Sequence, residues 1–150
     1  MQNPSLSEEK TKELIRAALK VRKYAYTPYS HYQVGAALLC ASKKNTYTGC
    51  NVENASFGAT ICAERSAFLQ ALSQGKRKFS AIAIVAGPEK CSEKDLVKED
   101  YPTPCGICRQ FMREFVDPAK FQVILARSTS DYKVMTLEEL LPESFGPESL

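Results

Sequence analysis

Apolar positions along the chain change their spacing from segment to segment. Leu14, Ala18, Val21 and Ala25 recur at helical intervals, and Ser5-Leu6-Ser7-Glu8 ahead of them fits a capping box. This predicts a first helix from about Ser7 to Ala25. Tyr26-Thr27-Pro28-Tyr29-Ser30 breaks it, because Pro28 disfavours helical backbone at the residue before it. Gln33 to Ala41 reads as a largely buried strand, Ser42-Lys43-Lys44-Asn45 as a turn, and Thr46 to Val52 as the returning strand of a hairpin. A second helix is predicted from Cys62 to Ser73, burying Ala67 and Ala71 with Phe68 and Leu72 beside them, and Gly75 ends it. Phe79 to Ala86 is an almost unbroken apolar run, suited to a strand covered on both faces.

Gly87 to Thr103 is polar, charged and long for an internal loop; loops of this size in compact proteins are usually functional or mobile. A third helix is expected from Cys105 to Val116, stopped by Asp117-Pro118. A strand follows from Phe121 to Arg127, a turn from Ser128 to Asp131 and a short last strand from Lys133 to Met135. Thr136-Leu137-Glu138-Glu139 opens a final helix that ends at Pro142. The order α-β-β-α-β-α-β-β-α implies an α/β fold of three layers, α-β-α, around a mixed five-stranded sheet. At 150 residues the chain suits a single domain, 1–150.

Composition removes some function classes. The net charge is only +3, and the basic runs Lys43-Lys44 and Lys76-Arg77-Lys78 sit in predicted turns, so no broad basic face for nucleic acid is indicated. The amino-terminal stretch MQNPSLSEEKTK lacks the apolar core of a signal peptide, and no segment approaches a membrane span. A cytoplasmic protein with reduced thiols is expected, so the six cysteines are not read as disulfide staples.

Two stretches carry the chemistry: Cys62-Ala63-Glu64-Arg65 and Pro104-Cys105-Gly106-Ile107-Cys108-Arg109-Gln110. Cys105 and Cys108, three apart, fall about 60° from one another on a helix and can reach one metal from its first turn. Cys62 and Glu64, two apart, lie about 200° apart, so a metal near both must lie beyond the helix's amino end. Three thiolates leave the fourth position of a Zn²⁺ open for water, the arrangement of a catalytic rather than a structural site. Glu64, close but not a ligand, is the natural proton carrier. Arg65 would hydrogen-bond a ligand sulfur and offset part of the negative charge. A structural zinc would need a fourth ligand from Cys40, Cys50 or Cys91, none of which lies in a paired motif. A lone Cys-x-x-Cys would also serve as a redox pair.

The two stretches resemble the zinc nucleoside and nucleobase deaminases, whose signature joins a ligand-x-Glu to Pro-Cys-x-x-Cys. Cys62, where many relatives have histidine, points to the short, homotetrameric cytidine deaminases with three cysteine ligands. Pro28-Tyr29-Ser30-His31-Tyr32-Gln33-Val34-Gly35-Ala36-Ala37-Leu38, Gly49-Cys50-Asn51-Val52-Glu53-Asn54-Ala55 and Leu141-Pro142-Glu143-Ser144-Phe145-Gly146-Pro147 are similar to further stretches of that family. The resemblance implies one Zn²⁺ per chain and hydrolysis of cytidine and 2′-deoxycytidine to the uridines in pyrimidine salvage. Metal-activated water would attack C4, with Glu64 moving protons.

It further implies that Asn51 and Glu53 bind the ribose 3′-hydroxyl, that Tyr32 lies against the base, and that the Ala63 amide meets the pyrimidine O2. Ala55, Phe57 and Phe145 would reach a neighbouring subunit's ligand. Tyr32 stands where the family usually has phenylalanine, Phe57 where it often has tyrosine, and the 87–103 loop is longer than usual. The competing readings are a blasticidin-type nucleoside-analogue deaminase and, from another class, a zinc-stabilised protein binding or editing RNA.

Overall fold

Alternation along three central strands sorts the core into two faces. The computed structural model describes residues 5–150; the first four residues of the polar amino-terminal stretch lie outside the described residues. The elements are α1 (Glu8–Arg22), β1 (Tyr32–Cys40), β2 (Thr46–Cys50), α2 (Ala63–Ser73), β3 (Phe79–Pro88), α3 (Gly106–Phe115), β4 (Gln122–Ser128), β5 (Asp131–Thr136) and α4 (Leu137–Leu140). The strands form one sheet in the order β2-β1-β3-β4-β5, antiparallel except for the β3–β4 pair. Leu38, Ile82, Ile84, Val123 and Leu125 pack with α2, α3 and α4 on one face. Ala37, Leu39, Ala81, Ala83, Val85, Ile124 and Ala126 pack with α1 on the other. The expected three layers and mixed five-stranded sheet are present, and the odd–even split follows from the strand's two-residue period.

Several boundaries differ from those the sequence suggests, each for a local reason. Ser7, not Ser5, caps α1, its hydroxyl accepting from Lys10 N at 3.2 Å. The helix stops at Arg22 because Tyr26 is drawn into a parallel bridge with Val52, closed by Tyr26 N to Asn51 O (3.0 Å) and Glu53 N to Tyr26 O (2.9 Å). Val52 also bridges Ile61, so β2 ends at Cys50 and the chain just before Cys62 is tied down. Cys62 and Cys105 are amino-terminal caps of α2 and α3 rather than their first helical residues. Strands β3 and β5 run one or two residues further than expected, and β1 and β4 are each displaced by one residue. The 87–103 stretch holds a 3-10 helix, Glu93–Lys98, and its Leu96 is fully buried in the α1-side core. Gly75, with φ of 79°, ends α2 as expected: Lys76 N bonds Ala71 O and Gly75 N bonds Leu72 O, a Schellman arrangement.

Two glycines let helices approach the sheet. A Cβ on Gly35 would lie 2.8 Å from Arg22 N in α1, and one on Gly49 would lie 2.6 Å from Ala63 O in α2. Gly49 therefore sets how closely the amino end of α2, with Cys62 at its tip, meets the strand. Phe68 of α2 packs edge-on against Phe111 and, tilted, against Phe115 of α3, fixing the two helices together. We expect Gly49→Ala to push α2 off β2 and cost roughly 1–3 kcal/mol. A lowered Tm together with weaker zinc retention would show it; an unchanged Tm would contradict it.

Candidate active site

Both cysteine stretches begin where a loop meets a helix, so their side chains project off helix ends. The Cys62 and Cys105 carbonyls accept the first helical bonds, from Ser66 N and Arg109 N, at 3.0 Å each. Cys105 Sγ also accepts from Cys108 N at 3.5 Å. The sulfurs of Cys62, Cys105 and Cys108 lie within 4.8 Å of one another, with Cys62 Sγ and Cys105 Sγ at 3.9 Å. Tetrahedral Zn²⁺ with bonds of ~2.3 Å places its sulfurs roughly 3.8 Å apart, so the three residues fit one zinc. All six cysteines are free, and Cys40, Cys50 and Cys91 lie outside the group.

The negative charge is managed by what surrounds it. Arg65 Nη2 donates to Cys62 Sγ (3.5 Å) and to Thr60 O (3.4 Å), as expected for a charge placed beside a ligand sulfur. Hydrogen bonds from Cys108 and then Arg65 hold the Cys62 thiol well below the usual range. The fully buried Cys108 thiol is pushed upward by its interaction with Cys62 and by burial. Glu64 is 5% exposed and sits 3.6 Å from Cys108 Sγ through Oε2. Burial raises its carboxyl to about 7, with the nearby Cys62 charge adding to the rise.

Cys62 and Glu64, with Cys105, line a cavity of about 350 Å³. That falls at the small end of the ~300–1,000 Å³ typical of ligand pockets. Ala63 joins them from α2, Tyr32 and Val34 come from β1, Asn51 follows β2, and Ile84 and Ala86 come from β3. Asn51 is held by β1: Oδ1 accepts from Val34 N (2.8 Å) and Nδ2 donates to Tyr32 O (2.9 Å), leaving one Nδ2 hydrogen for a ligand. The Tyr32 phenol is raised mainly by burial and then by Glu99.

Glu53, Ala55, Phe57 and Phe145 do not line this cavity within one chain. Glu53 Oε1 accepts from Tyr29 N and Ser30 N at 3.1 Å, and the Ser30 hydrogen bonds hold the carboxyl below its usual range. Phe57 and Phe145 are more than 60% exposed, Phe57 standing edge-on to Tyr29. Missing from the expected site are Val34, Thr60, Ile84 and Ala86 and the contiguous wall of Asp100, Tyr101, Pro102 and Thr103. The wall's one sequence signal is that the polar loop runs straight into Pro104-Cys105.

Residues 8–124 match the family model described as "Cytidine and deoxycytidylate deaminase zinc-binding region". The chain belongs to that family. It is 44% identical over 137 residues to a cytidine deaminase of Halalkalibacterium halodurans, covering 91% of this chain and 95% of that one. A cytidine deaminase of Sporosarcina psychrophila is 41% identical, covering 92% and 93%. The crystal structure of cytidine deaminase from Burkholderia pseudomallei superposes with a TM-score of 0.77 at 41% identity, covering 89% of this chain and 97% of that one. This family member is thus a zinc-dependent hydrolase, and its three-cysteine cluster suits one zinc ion.

Cys105 is the most exposed of the three cysteines, yet its sulfur caps α3. We expect Cys105→Ser to lose zinc, because removing a ligand costs more than the roughly 10–100-fold attached to outer partners. Metal analysis after dialysis should show well under one zinc per chain; full occupancy would remove Cys105 from the ligand set.

Proposed function

We propose that this chain hydrolyses cytidine and 2′-deoxycytidine to uridine and 2′-deoxyuridine, releasing ammonia, within pyrimidine salvage in the reducing cytosol. The observation that carries the reading is Glu64: a buried carboxyl that lines a nucleoside-sized cavity and accepts from Cys108, one of the three clustered thiols. Zinc held by Cys62, Cys105 and Cys108 would supply Lewis acidity that lowers the pKa of a water near neutrality. Glu64 takes a proton from that water and delivers it to N3 of the base as the oxygen adds to C4. It then carries the second proton to the exocyclic nitrogen, the C4–N4 bond breaks, and ammonia leaves. A carboxyl raised to about 7 by its surroundings is matched to accepting and donating in turn.

Ala63, first in α2, presents a backbone N–H with no partner within its helix, suited to the pyrimidine O2. Asn51 turns its free amide hydrogen towards the sugar, with Glu53 ordering the Tyr29–Ser30 turn behind it. Among the described residues, neither lysine nor arginine lines the cavity, so a 5′-phosphate or a nucleic-acid backbone would find no counter-charge there. That favours a free nucleoside over a nucleotide or RNA.

Purified protein should release ammonia from cytidine with no nucleic acid present, and CMP, cytosine and blasticidin S should each react at least ~10-fold less efficiently. An inert cytidine would end the assignment. Glu64→Ala should keep about one zinc per chain yet lose roughly 10²–10⁴-fold in kcat; loss of the metal would overturn the role given to Glu64.

The exposed Phe57 and Phe145 rings fit a homotetramer in which Ala55, Phe57 and Phe145 reach a neighbour's ligand. The tail carrying Phe145 is held by buried Arg113, which bonds Ser144 Oγ at 3.0 Å and the Glu148 carboxylate, while Gln110 Nε2 donates to Phe145 O. Truncating the tail would strip Arg113 of its partners, so the cleaner variant is Phe145→Ala. It should raise KM for cytidine several-fold, about 1 kcal/mol of lost contact, with Tm unchanged. Unchanged kinetics would take Phe145 out of the site.

A further inference from the structure

The 88–105 segment is fastened along its length, although its composition reads as a loose loop. Arg22 Nη2 donates to Pro88 O at 2.6 Å where the segment begins. Leu96, with no exposure, plugs it into the core at its middle. Arg127 Nη1 donates to Glu99 O at 3.2 Å near its end. Beyond Glu99 come the four residues that wall the cavity, and then Cys105.

The last fastening is a closed ring of hydrogen bonds. Tyr101 Oη donates to Asp131 Oδ1 at 2.5 Å and accepts from Arg127 Nη2 at 3.1 Å, while Arg127 Nε donates to Asp131 Oδ2 at 3.0 Å. The Arg127 guanidinium and the Lys133 ammonium lie 4.1 Å and 4.4 Å from the centroid of the Tyr101 ring. The hydrogen bond to the Asp131 carboxylate raises the Tyr101 phenol above its usual range. Every part of this ring other than Tyr101 stands on the β4–β5 hairpin, and Tyr101 alone also lines the cavity.

We propose that Tyr101, clasped by Arg127 and Asp131, is a positioning residue that makes the 100–103 wall a fixed face of the pocket and sets its affinity for the nucleoside. This rests on the nucleoside reading above. A fixed wall contacts bound substrate alike before and during reaction, so loosening it weakens binding without slowing chemistry. Pro102, between Tyr101 and Thr103, stiffens the run that the clasp holds.

The test uses Tyr101→Phe, which keeps the ring and removes the hydroxyl, and Asp131→Asn, each in the zinc-loaded enzyme. Amide hydrogen exchange in 99–104 should accelerate at least ~10-fold. KM for cytidine and Kd for uridine should rise together by about 5–50-fold, with kcat within about threefold and one zinc retained. The double variant should be no weaker than the worse single one, since both break the same ring. Unchanged exchange in 99–104, a fall in kcat at constant KM, or zinc loss in Tyr101→Phe would each overturn the clasp. If the unaltered enzyme leaves cytidine intact, the function assignment fails instead, and the exchange measurement still decides whether the clasp exists.

Discussion

Gathering three sulfurs and a carboxyl into one corner is the constraint on which the rest of the structure depends. Three sulfurs within 4.8 Å and a carboxyl 5% exposed share one corner of the fold. The fold answers with two helix amino ends, each contributing about 0.3–2 kcal/mol towards negative charge, and with Arg65 bonded to Cys62 Sγ. The close packing around them follows from this demand. Gly49 lets α2 meet β2, the Val52–Ile61 bridge fixes the chain before Cys62, and the Phe68 contacts keep the α2 and α3 tips in register. Arg65 Nε is buried with no protein partner, a cost accepted where a cation must stay near the sulfurs.

What was legible in the sequence was what local pattern encodes. The strand periods gave the two-faced sheet, and Cys-Ala-Glu with Pro-Cys-x-x-Cys placed three sulfurs off two helix tips, because ligand spacing and helical geometry are both local. Illegible were effects that join distant segments. Helical spacing continues to Ala25, but α1 ends three residues earlier because Tyr26 pairs with Val52, a contact across 26 positions. The 87–103 stretch looked unstructured because one leucine among charged residues gives no period, yet Leu96 anchors it. Glu53 shows the same limit differently: its motif suggests a sugar ligand, while the folded chain has it accepting from two turn amides, so any sugar contact must use what remains of that carboxylate.

Three arginines illustrate how a rigid sheet comes to own the loops around its site. Arg22, Arg113 and Arg127 belong to no sequence motif, yet each joins a segment to the core: Pro88 to α1, the tail to α3, and Glu99 with Tyr101 to the β4–β5 hairpin. Hydrophobic packing cannot do this where the loops are polar, because their carbonyls need donors wherever water is excluded. A guanidinium offers up to five N–H groups in a fixed plane, so one side chain satisfies several such acceptors at once. A lysine in the same place would be a point charge with no preferred plane. The pocket wall is thereby made from chain that has no secondary structure of its own, and its shape is inherited from strands more than twenty residues further along the chain.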